Sequence, residues 1–184
     1  MKKLALALAA LALALPAEAK KVAGVDFPDT VDVGGQTLKL NGAGLRKRFV
    51  IKVYAGGLYL AEPSGDANAV VEADAPKRVR MVFLRGVTKQ QIMDAYKEGF
   101  EKNSGGPGLP ALLEKLKQLS PALADMKENG EMLVTYVPGK GTTVSAAGGG
   151  SVTVEGKEFA DALFRNWLGK APADDALKAS MLGK

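Results

Sequence analysis

The stretch Leu40–Leu60, LNGAGLRKRFVIKVYAGGLYL, restricts the fold more than any other part of the chain. Phe49, Ile51, Val53 and Ala55 alternate with Val50, Lys52, Tyr54 and Gly56. Side chains on a strand point to opposite faces with a period of two, so this alternation predicts a β-strand rather than a helix. The whole stretch reads as one long, bent central strand with a basic cluster, Arg46, Lys47 and Arg48, at its entrance. Inside it, Gly56-Gly57 predicts a bulge, a sharp bend, or a point where another group approaches the backbone.

On either side the pattern alternates between strand and helix. Val22–Phe27 is strand-like, and Val31–Val33 and Gln36–Leu40 flank Gly34-Gly35, a hairpin signal. Lys77–Leu84 alternates again, with Val79, Met81 and Phe83 on one face. Thr88 followed by Gln91 forms a capping-box pattern ahead of Ile92, Tyr96, Gly99 and Phe100 at helical spacing. That helix should stop at Asn103–Gly106, and a second should run from about Ala111 to Leu119. Glu131–Val137, Thr142–Ala146 and Ser151–Val154 are strands between turns. Two helices close the chain, one carrying Phe159, Leu163, Phe164, Trp167 and Leu168 as its core stripe with Gly169 as its C-cap. Strands, helices, strands and helices in that order predict an α+β domain, one antiparallel sheet with helices on one face.

Residues 1–19 read separately. Lys2 and Lys3 precede an unbroken Leu/Ala run from Leu4 to Leu15, then Pro16 and Ala17-Glu18-Ala19. The run is too short to span a bilayer and has the flanks of a secretory signal peptide, here of bacterial type. The expectation is a leader over 1–19, a mature domain over 20–184 without stable membrane insertion, and a periplasmic location.

Composition removes several function classes. The chain has no histidine and no cysteine, so ordinary zinc, copper and haem sites and His-dependent nucleophile systems are excluded; no cofactor is expected. The formal net charge is +5, two of the lysines lie in the leader, and aromatic residues make up 6% of the chain. Nucleic-acid binding needs a denser basic patch with stacking aromatics and is not expected. Gly42-x-Gly44 is followed by no phosphate-loop lysine and makes a weak phosphate motif.

GAGLRKRFVIKVYAGGLYL resembles the opening motif of the chalcone isomerase fold, and Phe164-Arg165-Asn166-Trp167-Leu168-Gly169 with Pro172 resembles its C-terminal signature. The likeness covers most of the mature chain and is nearest to the bacterial, secreted chalcone isomerase-like group. It implies an open-faced β-sandwich, a large antiparallel sheet packed against a layer of helices, with a ligand cleft between the two. It also implies a role for Arg46, which occupies the position of the family arginine that meets a substrate oxyanion or a fatty-acid carboxylate. A guanidinium offers a permanently charged, planar fork of donors suited to either.

The chain departs from the plant enzymes where they carry catalytic groups. Tyr54 stands in place of a strand threonine, and Gln91 and Glu98 stand in place of a helix tyrosine and asparagine. A tyrosine hydroxyl beside a guanidinium can still act as a general acid, because a cation lowers its pKa. Tyr54, Tyr59 and Tyr96 are therefore the candidate ligand-binding residues beside Arg46. The leading expectation is a non-catalytic protein that binds a small amphipathic anion such as a fatty acid. The alternatives are an isomerase, an intramolecular lyase acting on a chalcone-like or other enone, and a protein-interaction module.

Overall fold

The computed structural model describes residues 19–184; residues 1–18, which hold nearly all of the expected leader, lie outside the described residues. The elements in chain order are β1 (Lys20–Val22), β2 (Val25–Phe27), β3 (Thr30–Val33), β4 (Gln36–Arg48), β5 (Ile51–Leu60), α1 (Ala67–Glu72), β6 (Lys77–Phe83), α2 (Lys89–Asn103), α3 (Leu109–Lys117), β7 (Glu131–Val137), β8 (Gly141–Ala146), β9 (Ser151–Val154), α4 (Lys157–Leu168) and α5 (Asp175–Met181). Strands β3 to β9 form one seven-stranded sheet in sequential order. Each neighbour is antiparallel, a meander that short turns can close. This is the α+β arrangement the sequence predicts.

The central stretch is two strands and not one. Arg48 pairs with Ile51 across a two-residue turn at Phe49-Val50, so β4 and β5 form a long hairpin. Two-residue hairpin turns are normally written with glycine, asparagine or aspartate, and here none marks the reversal. Phe49 supplies the left-handed backbone instead, at φ +55°. Val22–Phe27 is likewise a small hairpin, turning at Ala23-Gly24, where both residues have positive φ.

Gly56 and Gly57 lie in unbroken register, so the expected bulge is elsewhere: register shifts fall between Leu40 and Gly42 and between Arg46 and Lys47. The glycine pair serves close approach. A Cβ on Gly57 would stand 2.6 Å from the Phe27 ring, and one on Gly56 would stand 3.0 Å from the Met181 methyl. The same device seats α5 on β4, since a Cβ on Gly42 would lie 2.1 Å from the Ser180 carbonyl oxygen.

The main core lies between the sheet and the helices, and gathers Leu58, Val79, Met81, Met132, Val134 and Val144 with Phe100, Leu116, Phe159, Leu163, Phe164 and Trp167. A smaller cluster on the other face of the sheet joins Phe27 from the β1–β2 hairpin to Val33, Leu38, Ala43, Ala55 and Tyr59. The capping box of α2 forms as written: Gln91 N–H donates to Thr88 Oγ1, and Thr88 N–H donates to Gln91 Oε1 at 2.9 Å. Lys77, 1% exposed, donates to the carbonyls of Val70, Val71 and Ala73 at 2.7–2.8 Å. An ammonium has three donors, and here they close the C-terminal end of α1. Burial holds the Lys77 pKa down at about 8.

Candidate ligand-binding cleft

Between the turn end of the β4–β5 hairpin, the end of β6, α2, α4 and the loop 171–173 lies a cleft of about 570 Å³. That volume falls in the range of small-molecule sites. Its inner wall is apolar and aromatic, built from Val53, Tyr54, Met81, Phe83, Ile92 and Trp167. The period-two alternation of β5 and β6 sends Tyr54, Met81 and Phe83 to the helix side. Its mouth is ringed by Arg46, Lys47, Arg48, Arg85 and Lys102, against Asp94 and Glu98. Glu98 accepts a hydrogen bond from Lys102 at 2.5 Å, and that bond with the lysine charge holds its carboxyl below the usual range. The excess charge at the mouth is positive.

Arg46 sits on β4 directly opposite Tyr54, with Cζ 5.5 Å from the centre of the tyrosine ring. The register shift beside Arg46 re-aims the strand there. Its Nε is fully buried and has no hydrogen-bond partner among the described residues. An unpartnered buried donor on a charged group costs free energy unless something fills it, and Arg46 is one of the residues lining the cleft.

Tyr54 Oη accepts a hydrogen bond from Trp167 Nε1 at 2.8 Å. Indole N–H is only a donor, so the phenol keeps its own proton to donate, and no acceptor among the described residues takes it. Tyr96 donates to Met132 Sδ at 3.3 Å, a weak acceptor from which the proton is readily redirected. Both phenols are buried, and burial raises both pKa values; for Tyr54 this outweighs the opposing pull of Arg46. The expectation that the guanidinium would lower a tyrosine pKa enough for acid catalysis is corrected here: desolvation dominates. These tyrosines are neutral donors.

Tyr59 does not join them. Five residues from Tyr54 on the same strand, it faces the opposite side of the sheet and packs with Phe27 in the small cluster. Its hydroxyl is buried without a partner and its pKa is pushed up to about 12 by burial. Gln91 and Glu98 both line the cleft, but the Gln91 side-chain oxygen is engaged in the α2 cap and Glu98 in its bond to Lys102.

Two residues read from sequence only as core or motif prove to set the geometry. Trp167 fixes the Tyr54 hydroxyl, and the signal was available: a buried tryptophan N–H normally finds a partner. Asn166 donates to the Ala162 and Leu163 carbonyls, and its oxygen occupies the place of a missing side chain on α2, where a Cβ on Gly99 would lie 1.7 Å away. Asn103 holds the loop wall, donating to Ala171 O and accepting from Ala171 N–H. Among the described residues no cluster of His, Cys, Asp or Glu could hold a metal ion.

An open-faced sheet roofed by helices, with an arginine at the charged mouth of a cleft whose inner wall is apolar, defines a chalcone isomerase-type fold. The chain belongs to the chalcone isomerase-like family, whose model matches residues 19–183. Among solved structures it is similar to a fatty-acid binding protein of Arabidopsis thaliana, at 20% identity and a TM-score of 0.62 over 86% of this chain and 92% of that one. A comparison with curated proteins finds no match.

Proposed function

We propose that this protein binds, without catalysis, a small amphipathic anion, a fatty acid being the favoured ligand, and that it does so in the periplasm, to which its leader pattern directs it. The acyl chain lies along Val53, Met81, Phe83, Ile92 and Trp167. The carboxylate sits at the mouth, taking charge-assisted hydrogen bonds from the Arg46 fork and one from the Tyr54 hydroxyl. The observation that carries this reading is the buried, unpartnered Nε of Arg46, a residue that lines a cleft with an apolar inner wall. A fixed cation beside a greasy wall selects molecules with an acidic head and an apolar tail. The fold shared with a protein named as a fatty-acid binder supports the reading.

Native mass spectrometry of freshly purified protein tests it. The expected result is a bound population carrying the mass of an anionic lipid, lost in an Arg46→Met variant of unchanged circular dichroism. Protein that stays ligand-free even after incubation with laurate and palmitate would overturn it.

A further inference from the structure

The described residues expose three large hydrophobic side chains, and all three are consecutive. Phe49 is 89% exposed, Val50 92% and Ile51 46%, together forming the tip of the β4–β5 hairpin. Scattered exposed hydrophobics are ordinary, but an apolar point at one projecting turn is not. Phe49 also holds a left-handed backbone, φ +55°, where glycine would sit without strain. Neither local geometry nor packing in the core explains a phenylalanine there. Exposed Lys47, Arg48 and Lys52 flank the point, and none of the ion pairs among the described residues uses them.

We propose that this hairpin tip docks on the surface of an anionic phospholipid bilayer, with Phe49 and Val50 entering the headgroup–acyl boundary and Lys47, Arg48 and Lys52 meeting lipid phosphates. Amphipathic surfaces bind membranes by this division, apolar groups buried shallowly and cations at headgroup level. Charge decides between occupants: a second copy of this chain seated on the tip would bring two basic collars face to face, whereas an anionic surface complements them. The tip is continuous with the cleft, since Lys47, Arg48 and Ile51 line both. Docking would therefore set the mouth against lipid. No helix among the described residues is long and apolar enough to cross a membrane, so the contact is peripheral.

The test is co-sedimentation of the purified protein with phosphatidylcholine vesicles, with and without a quarter phosphatidylglycerol, at low and high salt. The comparison variant is Phe49→Gly/Val50→Asn, which keeps a two-residue turn with glycine at its first position and touches no cleft wall. We expect wild type to sediment with the anionic vesicles, less at high salt, and the double variant to bind roughly tenfold or more weakly. The variant's thermal melt and laurate binding should stay as in wild type, so docking and ligand binding fail or succeed separately. Absence of vesicle binding overturns the proposal, and so does equal binding by the variant. Sedimentation velocity showing a dimer that the double variant dissolves would assign the tip to a second copy and overturn it too.

Discussion

Replacing Arg46 with methionine should separate the head of the ligand from its tail. Methionine keeps an unbranched stem against the Tyr54 ring, over which the guanidinium carbon lies at 5.5 Å, while removing the charge and the fork. A hydrogen bond to a charged group contributes about 1.5–3 kcal/mol. Arg46 is only half-buried, so water can reach part of the carboxylate once the fork is gone, and the smaller share of a bidentate pair is the reasonable figure. A loss of about 2–3 kcal/mol corresponds to a rise in Kd of roughly 30- to 150-fold. The assay is displacement of a fluorescent fatty acid by laurate and, separately, by dodecanol, at fixed ionic strength. Dodecanol has the same tail and no charge, so its affinity should change by less than about threefold. Arg46→Lys should recover part of the laurate affinity, because an ammonium supplies the charge but not the planar fork. If Arg46→Met leaves laurate within twofold of wild type, or weakens acid and alcohol alike, the arginine does not hold the head group.

Other parts of the fold carry further expectations. Lys77→Met leaves the carbonyls of Val70, Val71 and Ala73 without their donor, and chemical denaturation should show a loss of about 2–4 kcal/mol. In wild type the folded Lys77 pKa of about 8 lies below its ordinary value of 10.5, so between those values the unfolded chain holds more protons and stability rises with pH. Urea midpoints between pH 8 and 9.5 should climb, and the Lys77→Met profile should be flat; a flat wild-type profile would mean that the three carbonyls keep the ammonium charged. Gly42→Ala puts a methyl 2.1 Å from the Ser180 carbonyl oxygen and should lower stability by about 1–3 kcal/mol, with α5 losing hydrogen-exchange protection first. Incubation with a chalcone should leave its long-wavelength absorbance unchanged, because burial keeps the Tyr54 and Tyr96 phenols protonated and far from the pKa a proton shuttle needs; steady loss of that absorbance would restore the enzyme reading.

The parts of the fold legible in the sequence are those written in short-range chemistry. Thr88 and Gln91 specify the start of α2 through two reciprocal hydrogen bonds, and β7 and β9 occupy the residues their alternation predicts. The β4–β5 turn was hidden because a phenylalanine takes a conformation that asparagine or glycine usually signals. Apolar alternation passes straight through such a reversal, since both arms of a hairpin share the same period. For the site, Arg46 and Tyr54 were legible as cross-strand neighbours only once the turn was known. Tyr59 could have been set aside earlier: an odd separation from Tyr54 on one strand sends the two rings to opposite faces. The direction of the tyrosine pKa shifts was not legible at all, because burial depends on α2 and α4 closing over the sheet, and that packing is long-range.

The β4–β5 hairpin carries three demands at different heights along its length, and their order explains its glycines. At its base Gly42 and Gly44 have no side chain, so α5 settles against the backbone with Ser180 in the vacated space. That contact is reinforced by Asp174, which caps α5 through Leu177 N–H and also accepts from Lys47 N–H, 2.9 Å each. The helix is thereby tied to the strand on either side of Arg46. A long, flexible cation is worth most to a ligand when its stem is already held, because less rotamer freedom is lost on binding. Tying the strand before and after the arginine supplies that order without spending the guanidinium Nε, which stays buried and has no hydrogen-bond partner among the described residues. Beyond Arg48 the Phe49-Val50 turn projects clear of the core. One strand pair is therefore rigid where it must aim a charge and bare where it meets its surroundings.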